Sequence, residues 1–113
     1  MKLDKETQEK IQELQLAEQN LQNLLMQKQA FQIELNEAES SLHEAKGSSE
    51  EIYKIAGQIM LKAKKSDIIS ELTDKIKIIN LRLKAIENHE KNSTEKAEKL
   101  RSEIESKLNL GKK

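Results

Sequence analysis

The sequence predicts a mainly α-helical protein: an antiparallel two-helix coiled coil joined by a β-hairpin that assembles into an intersubunit β-barrel. Three observations lead to this fold class. Apolar residues recur at alternating steps of three and four in both halves of the chain, which is the repeat of a coiled-coil seam. Of the 113 residues, 2% are aromatic and 35% are charged, a composition unsuited to an ordinary globular core. A short, weakly charged segment around a glycine separates the two halves.

We expect a single domain over residues 1–113, with a first helix over about 3–46. The apolar stripe of this helix consists of Leu14, Ala17, Leu21, Leu24, Lys28, Phe31, Leu35, Ala38, Leu42 and Ala45. Lys28 is the one charged residue in that stripe. We place the helix end at Lys46 and Gly47, because glycine is preferred just past a helix end and a basic residue suits the last turn.

The second helix is predicted over about 66–109, with Ser66 as its N-cap and Asp67 in its first turn. Its stripe consists of Ile69, Leu72, Ile76, Ile79, Leu83, Ile86, Glu90, Ser93, Ala97, Leu100 and Ile104. Two helices of matched length with a short connection fold back antiparallel. Pairing Ala45 with Ile69 brings Lys28 within about one turn of Glu90. The two charged seam residues then either form a pair or extend separately to water.

The segment between the helices is predicted to form a β-hairpin over about 52–63. A three-residue loop, 56–58, gives Gly57 the positive φ that such a loop needs. This register pairs Ile55 with Ile59 and Tyr53 with Leu61. It therefore creates one apolar face that contains Tyr53, Ile55, Ile59 and Leu61.

A lone two-stranded hairpin is marginal in water, and both helices use their apolar seams on each other. We therefore predict that hairpins from several subunits pair edge to edge and close into a sheet or barrel. The alternative is a turn that only caps its own coiled coil. Four large apolar residues in alternation favour assembly.

The two chain ends meet at the tip of an antiparallel helix pair, where apolar residues are left over. The predicted tip residues are Met1, Leu3, Ile11, Ile104, Leu108 and Leu110. Thr7, Lys10 and Lys107 occupy stripe positions there, so we expect poorer internal packing. Such a tip suits weak contact with exposed apolar surface on another protein, or it is simply a frayed end.

The sequence offers little for catalysis or for charged partners. His43 and His89 have no metal-ligand spacing, and the glycines are isolated, so we expect no metal, no cofactor and no enzyme activity. Twenty basic and 20 acidic residues give zero net charge, which disfavours nucleic-acid binding. No apolar run is long enough to cross a membrane, and the first ten residues do not form a secretory signal. The absence of cysteine fits a cytoplasmic protein.

Two stretches of the chain resemble the β-type prefoldin family of archaea. One is Gln27-Lys28-Gln29-Ala30-Phe31 followed by Glu34-Leu35, and the other is Tyr53-Lys54-Ile55-Ala56-Gly57. The resemblance extends over essentially the whole chain, and the hairpin is its specific part because all heptads look alike. Gln58 stands where a second glycine is common in the family, which puts the tightness of the turn in doubt.

This resemblance implies an ATP-independent chaperone. The family forms a hexamer of two α-type and four β-type subunits, whose hairpins make a double β-barrel and whose coiled coils project from it. Unfolded client proteins are held at the coiled-coil tips and passed to a group II chaperonin. The competing hypothesis is a structural coiled-coil spacer or tether without client binding.

Overall fold

The computed structural model describes residues 4–49 and 51–111. Helix α1 covers Lys5–Gly47, strand β1 covers Glu51–Ala56, strand β2 covers Ile59–Lys64, and helix α2 covers Lys65–Gly111. The strands pair antiparallel to form a two-stranded sheet. Two long helices with a hairpin between them confirm the predicted class for the single chain.

The chain divides into two compact units. The terminal unit comprises Met1–Lys28 and Ala85–Lys113, and the hairpin unit comprises Gln29–Lys84. Within the terminal unit, Lys10 of α1 pairs with Glu103 of α2, whereas Glu18, further along α1, pairs with Arg101. Rising numbers on one helix meet falling numbers on the other, so the helices of this unit run antiparallel.

The predicted seam is the core of each unit. In the terminal unit the buried apolar residues are Ala17, Ile86, Ala97, Leu100 and Ile104. In the hairpin unit they are Ala38, Ala45, Ile79 and Leu83. Every buried apolar residue in the described part of the chain therefore occupies a predicted stripe position. Burial follows the heptad because only one narrow stripe of each helix can face a single partner helix.

The two charged residues of the seam pair with each other. Lys28 Nζ lies 3.2 Å from a Glu90 carboxylate oxygen, and the two side chains are 27% and 25% exposed. The pair is thus partly withdrawn from water, where a lost partner would cost more than at the surface. This finding decides between the two alternatives that the sequence left open.

Replacing the charged pair with a leucine pair is expected to stabilise the helices. Lys28→Leu with Glu90→Leu should raise the free energy of unfolding by about 1–2 kcal/mol, because apolar packing replaces two partly desolvated charges. Glu90→Ala alone should lower it by about 1 kcal/mol, because Lys28 stays in the seam without its partner. Urea unfolding at fixed protein concentration measures both changes. A double variant less stable than the native chain would contradict this prediction.

Both ends of α1 carry a cap of their own. The Thr7 backbone N–H donates to Asp4 Oδ1 at 2.7 Å, so Asp4 is the N-cap, a role the sequence analysis missed. At the other end, Ser48 Oγ donates to the Ala45 carbonyl oxygen at 2.9 Å. The helix ends at Gly47, where the sequence placed its end, although Gly47 is the last helical residue and does not have positive φ. Ser48 bonds that terminal carbonyl instead.

Helix α2 begins directly at the end of the hairpin. Its first residue is Lys65, so Ser66 lies within the helix and the prediction of Ser66 as N-cap is wrong. Asp67 does lie in the first turn, where its negative charge interacts favourably with the helix dipole. Lys65 Nζ donates to the Ser48 carbonyl oxygen at 2.9 Å, which ties the start of α2 to the end of α1.

The hairpin turn is one residue shorter than expected. Ala56 pairs with Ile59, which leaves a two-residue loop of Gly57 and Gln58. Gly57 has φ +63°, and no non-glycine residue described has positive φ. Positive φ at the first loop position alone is the pattern of a type II′ turn, which matches the twist of antiparallel strands.

Candidate functional site

The shorter turn changes which hairpin side chains share a face. Residues paired across the strands point to the same side, and neighbours along a strand point to opposite sides. One face, here named the Tyr53 face, carries Glu51, Tyr53, Ile55, Met60, Lys62 and Lys64. The opposite face, named the Leu61 face, carries Ile52, Lys54, Ala56, Ile59, Leu61 and Ala63. The predicted single apolar face is therefore wrong: Tyr53 and Ile55 lie on one face, and Ile59 and Leu61 on the other.

The base of the Leu61 face lies against the helices. Ile52 and Ala63, a cross-strand pair, are half-buried there. Lys54 Nζ, on the same face, lies 2.9 Å from a carboxylate oxygen of Glu71 in α2. Because both charged side chains are about half exposed, this ion pair orients the hairpin more than it stabilises it.

The outer half of the hairpin exposes large apolar side chains on both faces. On the Tyr53 face, Tyr53, Ile55 and Met60 are 55%, 71% and 65% exposed. On the Leu61 face, Ile59 and Leu61 are 61% and 52% exposed. Met60 was missed by the sequence analysis, and only the two-residue loop could have shown that it pairs with Ile55. Apolar exposure on both sides of a small sheet indicates a surface that another protein covers.

The hairpin also has two open edges. Each strand pairs only with the other within residues 51–64, so its outer side presents backbone N–H and C=O groups without a strand partner. Open edges beside exposed apolar side chains make the hairpin a template for pairing with further strands. Both features needed for a β-sheet assembly are therefore present in one segment.

An ion-pair cluster occupies the end of the terminal unit. Lys107 Nζ lies 2.9 Å from Glu6 and 3.4 Å from Asp4, measured to carboxylate oxygens. Lys10 Nζ lies 3.0 Å from Glu103 and 3.6 Å from Glu6. Thr7, also a stripe residue, is 2% exposed. The polar stripe positions that looked like packing defects in the sequence thus hold the two helices together.

In this cluster the pKa values of two carboxyl groups are lowered and those of two lysines are raised, so both changes favour the charged forms. The Thr7 side-chain hydrogen bond is the main cause of the lowered pKa of Asp4, and the Lys107 hydrogen bond is the main cause for Glu6. Hydrogen bonds to Glu6 and Glu103 raise the pKa values of Lys107 and Lys10, respectively. These shifts keep Asp4, Glu6, Lys10 and Lys107 charged at neutral pH.

Acid should remove the contribution of this cluster to stability. A carboxyl group with a lowered folded-state pKa stabilises the protein above its unfolded pKa, and this is lost as pH falls through the folded value. We expect the native chain to melt higher than Lys107→Met at pH 7, with the difference shrinking as pH falls below the ordinary carboxyl range and through the lowered pKa values of Asp4 and Glu6. Lys77→Met, on the exposed surface of α2, is the matched control. A melting difference that persists unchanged at about pH 2 would contradict this role.

The predicted tip residues have different environments. Ile104 is 7% exposed and belongs to the seam, whereas Leu108 is 37% exposed and Ile11 is half-buried. Met1 and Leu3 lie outside the described residues, as does the side chain of Leu110. Among the predicted tip residues whose side chains are described, Ile11 and Leu108 are therefore the ones that offer apolar surface.

Ile11 and Leu108 lie on the same flank of the terminal unit. Ile11 precedes Glu18 by seven residues, and Leu108 follows Arg101 by seven, which is two helical turns in each case. Glu18 and Arg101 pair at 2.9 Å, so the flank that carries this pair also carries the two apolar residues. Leu25, seven residues beyond Glu18 and 48% exposed, extends the flank and was missed by the sequence analysis.

The described residues contain neither a metal-ligating cluster nor a helix that could cross a membrane. His43 and His89 are exposed on the helices, and no group of three His, Cys, Asp or Glu side chains within 4–49 and 51–111 is placed to hold a metal ion. None of the helical stretches described combines the length and the apolar character that a membrane crossing requires.

The fold defines a class of protein in which two long coiled-coil helices carry an exposed two-stranded sheet between them. Residues 8–110 match the model of the prefoldin subunit family. The chain is 33% identical to prefoldin subunit beta of Methanospirillum hungatei over 103 residues, which cover 89% of this chain and 86% of that protein. It is 36% identical to prefoldin subunit beta of Thermococcus kodakarensis over 98 residues, covering 85% and 84%.

A solved structure shows the same architecture. The crystal structure of the prefoldin beta subunit from Thermococcus strain KS-1 superposes with a TM-score of 0.87 at 33% identity, covering 95% of this chain and 96% of that one. The chain therefore belongs to the prefoldin subunit family, and it is a chaperone subunit. The family is one of hetero-oligomeric chaperones.

Proposed function

We propose that this chain is the β-type subunit of an ATP-independent cytoplasmic chaperone that holds unfolded proteins and passes them to a group II chaperonin. Two α-type and four β-type subunits form the hexamer. The hairpin joins the subunits, and the end of the terminal unit contacts clients. Membership of the prefoldin subunit family supports this proposal over a structural spacer.

The observation that carries the proposal is the exposed hairpin. Five large apolar side chains are each more than half exposed on a sheet with two open edges: Tyr53, Ile55, Ile59, Met60 and Leu61. A spacer gains nothing from such a segment, and water disfavours it at about 25 cal/mol per Å² of exposed apolar surface. Subunit assembly removes this cost because it covers both faces and pairs both edges.

The client surface is proposed to lie on the flank that carries Ile11 and Leu108. Their partial exposure beside the Glu18–Arg101 pair gives a small apolar patch with a charged border. Single patches of this size bind weakly. Several subunits that bind one client at the same time would hold it far more tightly, because linked weak contacts produce avidity.

An aggregation assay tests the proposed function. The chain, mixed with an α-type subunit, should suppress aggregation of a chemically denatured, unrelated protein, and the suppression should be the same with and without ATP. Failure to suppress aggregation at a several-fold molar excess would favour the spacer hypothesis. A reproducible effect of ATP on client retention would contradict the energy-independent mechanism.

A further inference from the structure

One segment of α2 departs from the even charge balance of the chain. Residues 75–86 contain four basic residues and no acidic residue, whereas the whole chain contains 20 of each. The four are Lys75, Lys77, Arg82 and Lys84, and the side chains of all four are exposed. This short segment therefore concentrates positive charge on a protein whose net charge is zero.

Two exposed apolar side chains lie among these basic residues. Leu81 is 69% exposed and Ile78 is 51% exposed. Leu81 is two positions from each of the buried seam residues Ile79 and Leu83, which places it about 160° around the helix from them. Leu81 thus lies on the outer side of α2, opposite the seam, and Ile78 lies on the preceding turn.

The basic residues form one row on each side of this apolar centre. Lys77 and Lys84 are seven residues apart, which is two helical turns, so they lie in one row. Lys75 and Arg82 have the same spacing and form the row on the other side. The name α2 outer face is used below for Lys75, Lys77, Ile78, Leu81, Arg82 and Lys84.

The lysines of the α2 outer face have no acidic partner in the described chain. Within residues 4–49 and 51–111, no ion pair involves Lys75, Lys77 or Lys84. The guanidinium carbon of Arg82 lies 5.7 Å from the centre of the Phe31 ring, a cation–π contact that leaves its positive charge in place. The positive charge of this face is therefore available to another molecule.

We infer that the α2 outer face binds an acidic amphipathic helix of another protein. A helix whose apolar stripe is bordered by carboxylates on both sides is complementary to an apolar centre bordered by two basic rows. Residues 75–84 span about 14 Å along the helix axis, a length that two to three turns of a partner helix would cover. The face is separate from the hairpin and from the helix ends. The inference therefore goes beyond the proposed function and does not depend on it.

The apolar centre favours a protein partner over nucleic acid or a membrane. A nucleic-acid backbone is bound through charge and hydrogen bonds, to which Ile78 and Leu81 contribute nothing. Insertion into a membrane surface requires a longer apolar face than two side chains provide. A partner helix uses both features, because it covers the apolar centre and pairs with the basic rows.

A synthetic peptide tests the inference. The probe is a fluorescent helix of about 18 residues with leucine at heptad positions a and d and glutamate at e and g, and fluorescence anisotropy measures its binding to the full chain. Lys77→Glu combined with Lys84→Glu, and separately Leu81→Asp, should each weaken binding at least about tenfold. Lys96→Glu combined with Lys99→Glu is the matched control. It makes the same charge change at exposed positions elsewhere on α2 and should leave binding unchanged.

A charge-swapped peptide excludes loss of folding as the cause. A peptide with lysine in place of glutamate at the e positions should bind the Lys77→Glu, Lys84→Glu variant more tightly than it binds the native chain. Equal binding of the glutamate peptide to the native chain and to both variants would overturn the inference. Tighter binding of the native chain to single-stranded RNA or to phosphatidylserine vesicles than to the peptide would also overturn it.

Oligomer mass separates a foreign partner from a second copy of this chain. Residues 29–45 of α1 contain four glutamates and no lysine or arginine, so a second copy also offers an acidic helix. Leu81→Asp should weaken peptide binding while the oligomer mass stays the same. A lower mass in this variant would assign the face to a second copy and overturn the inference. Ile55→Asp, which tests hairpin assembly, should leave peptide binding unchanged.

Discussion

Ile55→Asp and Leu61→Asp should each convert the assembled protein into soluble monomers that keep their helix content. The two residues lie on opposite faces of the hairpin, 71% and 52% exposed in the single chain. Assembly that covers both faces would bury either new carboxylate without a partner, at a cost of several kcal/mol per subunit. This cost recurs in every subunit, so even a stable oligomer should dissociate at micromolar concentration.

Sedimentation velocity and far-UV circular dichroism measure the two parts of this result. Leu81→Asp is the matched control, because Leu81 is 69% exposed but lies on α2, away from the hairpin. It should leave the oligomer intact. Because the two residues lie on opposite faces, the two variants test the faces separately. Dissociation of Ile55→Asp but not of Leu61→Asp would show that neighbouring subunits cover only the Tyr53 face. Intact oligomers in both variants would contradict hairpin-mediated assembly.

Ile11→Ser combined with Leu108→Ser should abolish most client holding while the oligomer remains intact. Both side chains lie on the flank of the Glu18–Arg101 pair, and neither belongs to the ion-pair cluster at the helix ends. Each tip would lose a small contact. Because several tips bind one client together, a small loss of affinity at each tip lowers the overall affinity much more. The protein concentration needed for half-maximal protection should therefore rise at least about tenfold.

Light scattering of an aggregating client measures this loss, and sedimentation verifies the oligomer. Leu16→Ser is the control: Leu16 is 60% exposed in the same unit but is not related to the flank by the heptad spacing. Removal of about eight residues from each end should also reduce holding. Because it deletes Asp4, Glu6 and Lys107 of the ion-pair cluster, the truncated protein should melt lower than the double variant. Full protection by the double variant would move the client surface elsewhere, to the coiled-coil flank near Leu25 or to the underside of the hairpin sheet.

The seam of the coiled coil was predictable from the sequence alone. The three-four spacing names Ala17, Ala38, Ile79 and Leu100 as core residues, and each is buried. Heptad spacing is a local property of a helix, so it requires no knowledge of distant contacts. The need for a hairpin followed in the same way from a glycine between alternating apolar residues.

The length of the hairpin loop decides which side chains share a face, and only the structure shows that length. Gly57 fits the middle of a three-residue loop as readily as the first position of a two-residue loop, and both satisfy its positive φ. A change of one residue in loop length moves one strand's side chains to the opposite face, because the side-chain period of a strand is two. Met60 therefore lies on the same face as Ile55, and apolar side chains occupy both faces of the hairpin.

The polar contacts at the helix ends likewise required the tertiary structure. Lys10 and Lys107 interrupt the apolar stripe in the sequence, and nothing local shows that Glu103 lies within reach of Lys10, or Glu6 within reach of Lys107. Lys28 and Glu90 were placed within a turn of each other by the register, yet only the structure showed the 3.2 Å contact. Helical periodicity is set by neighbours along the chain. The pairing of long charged side chains depends instead on where the second helix places its oppositely charged side chains.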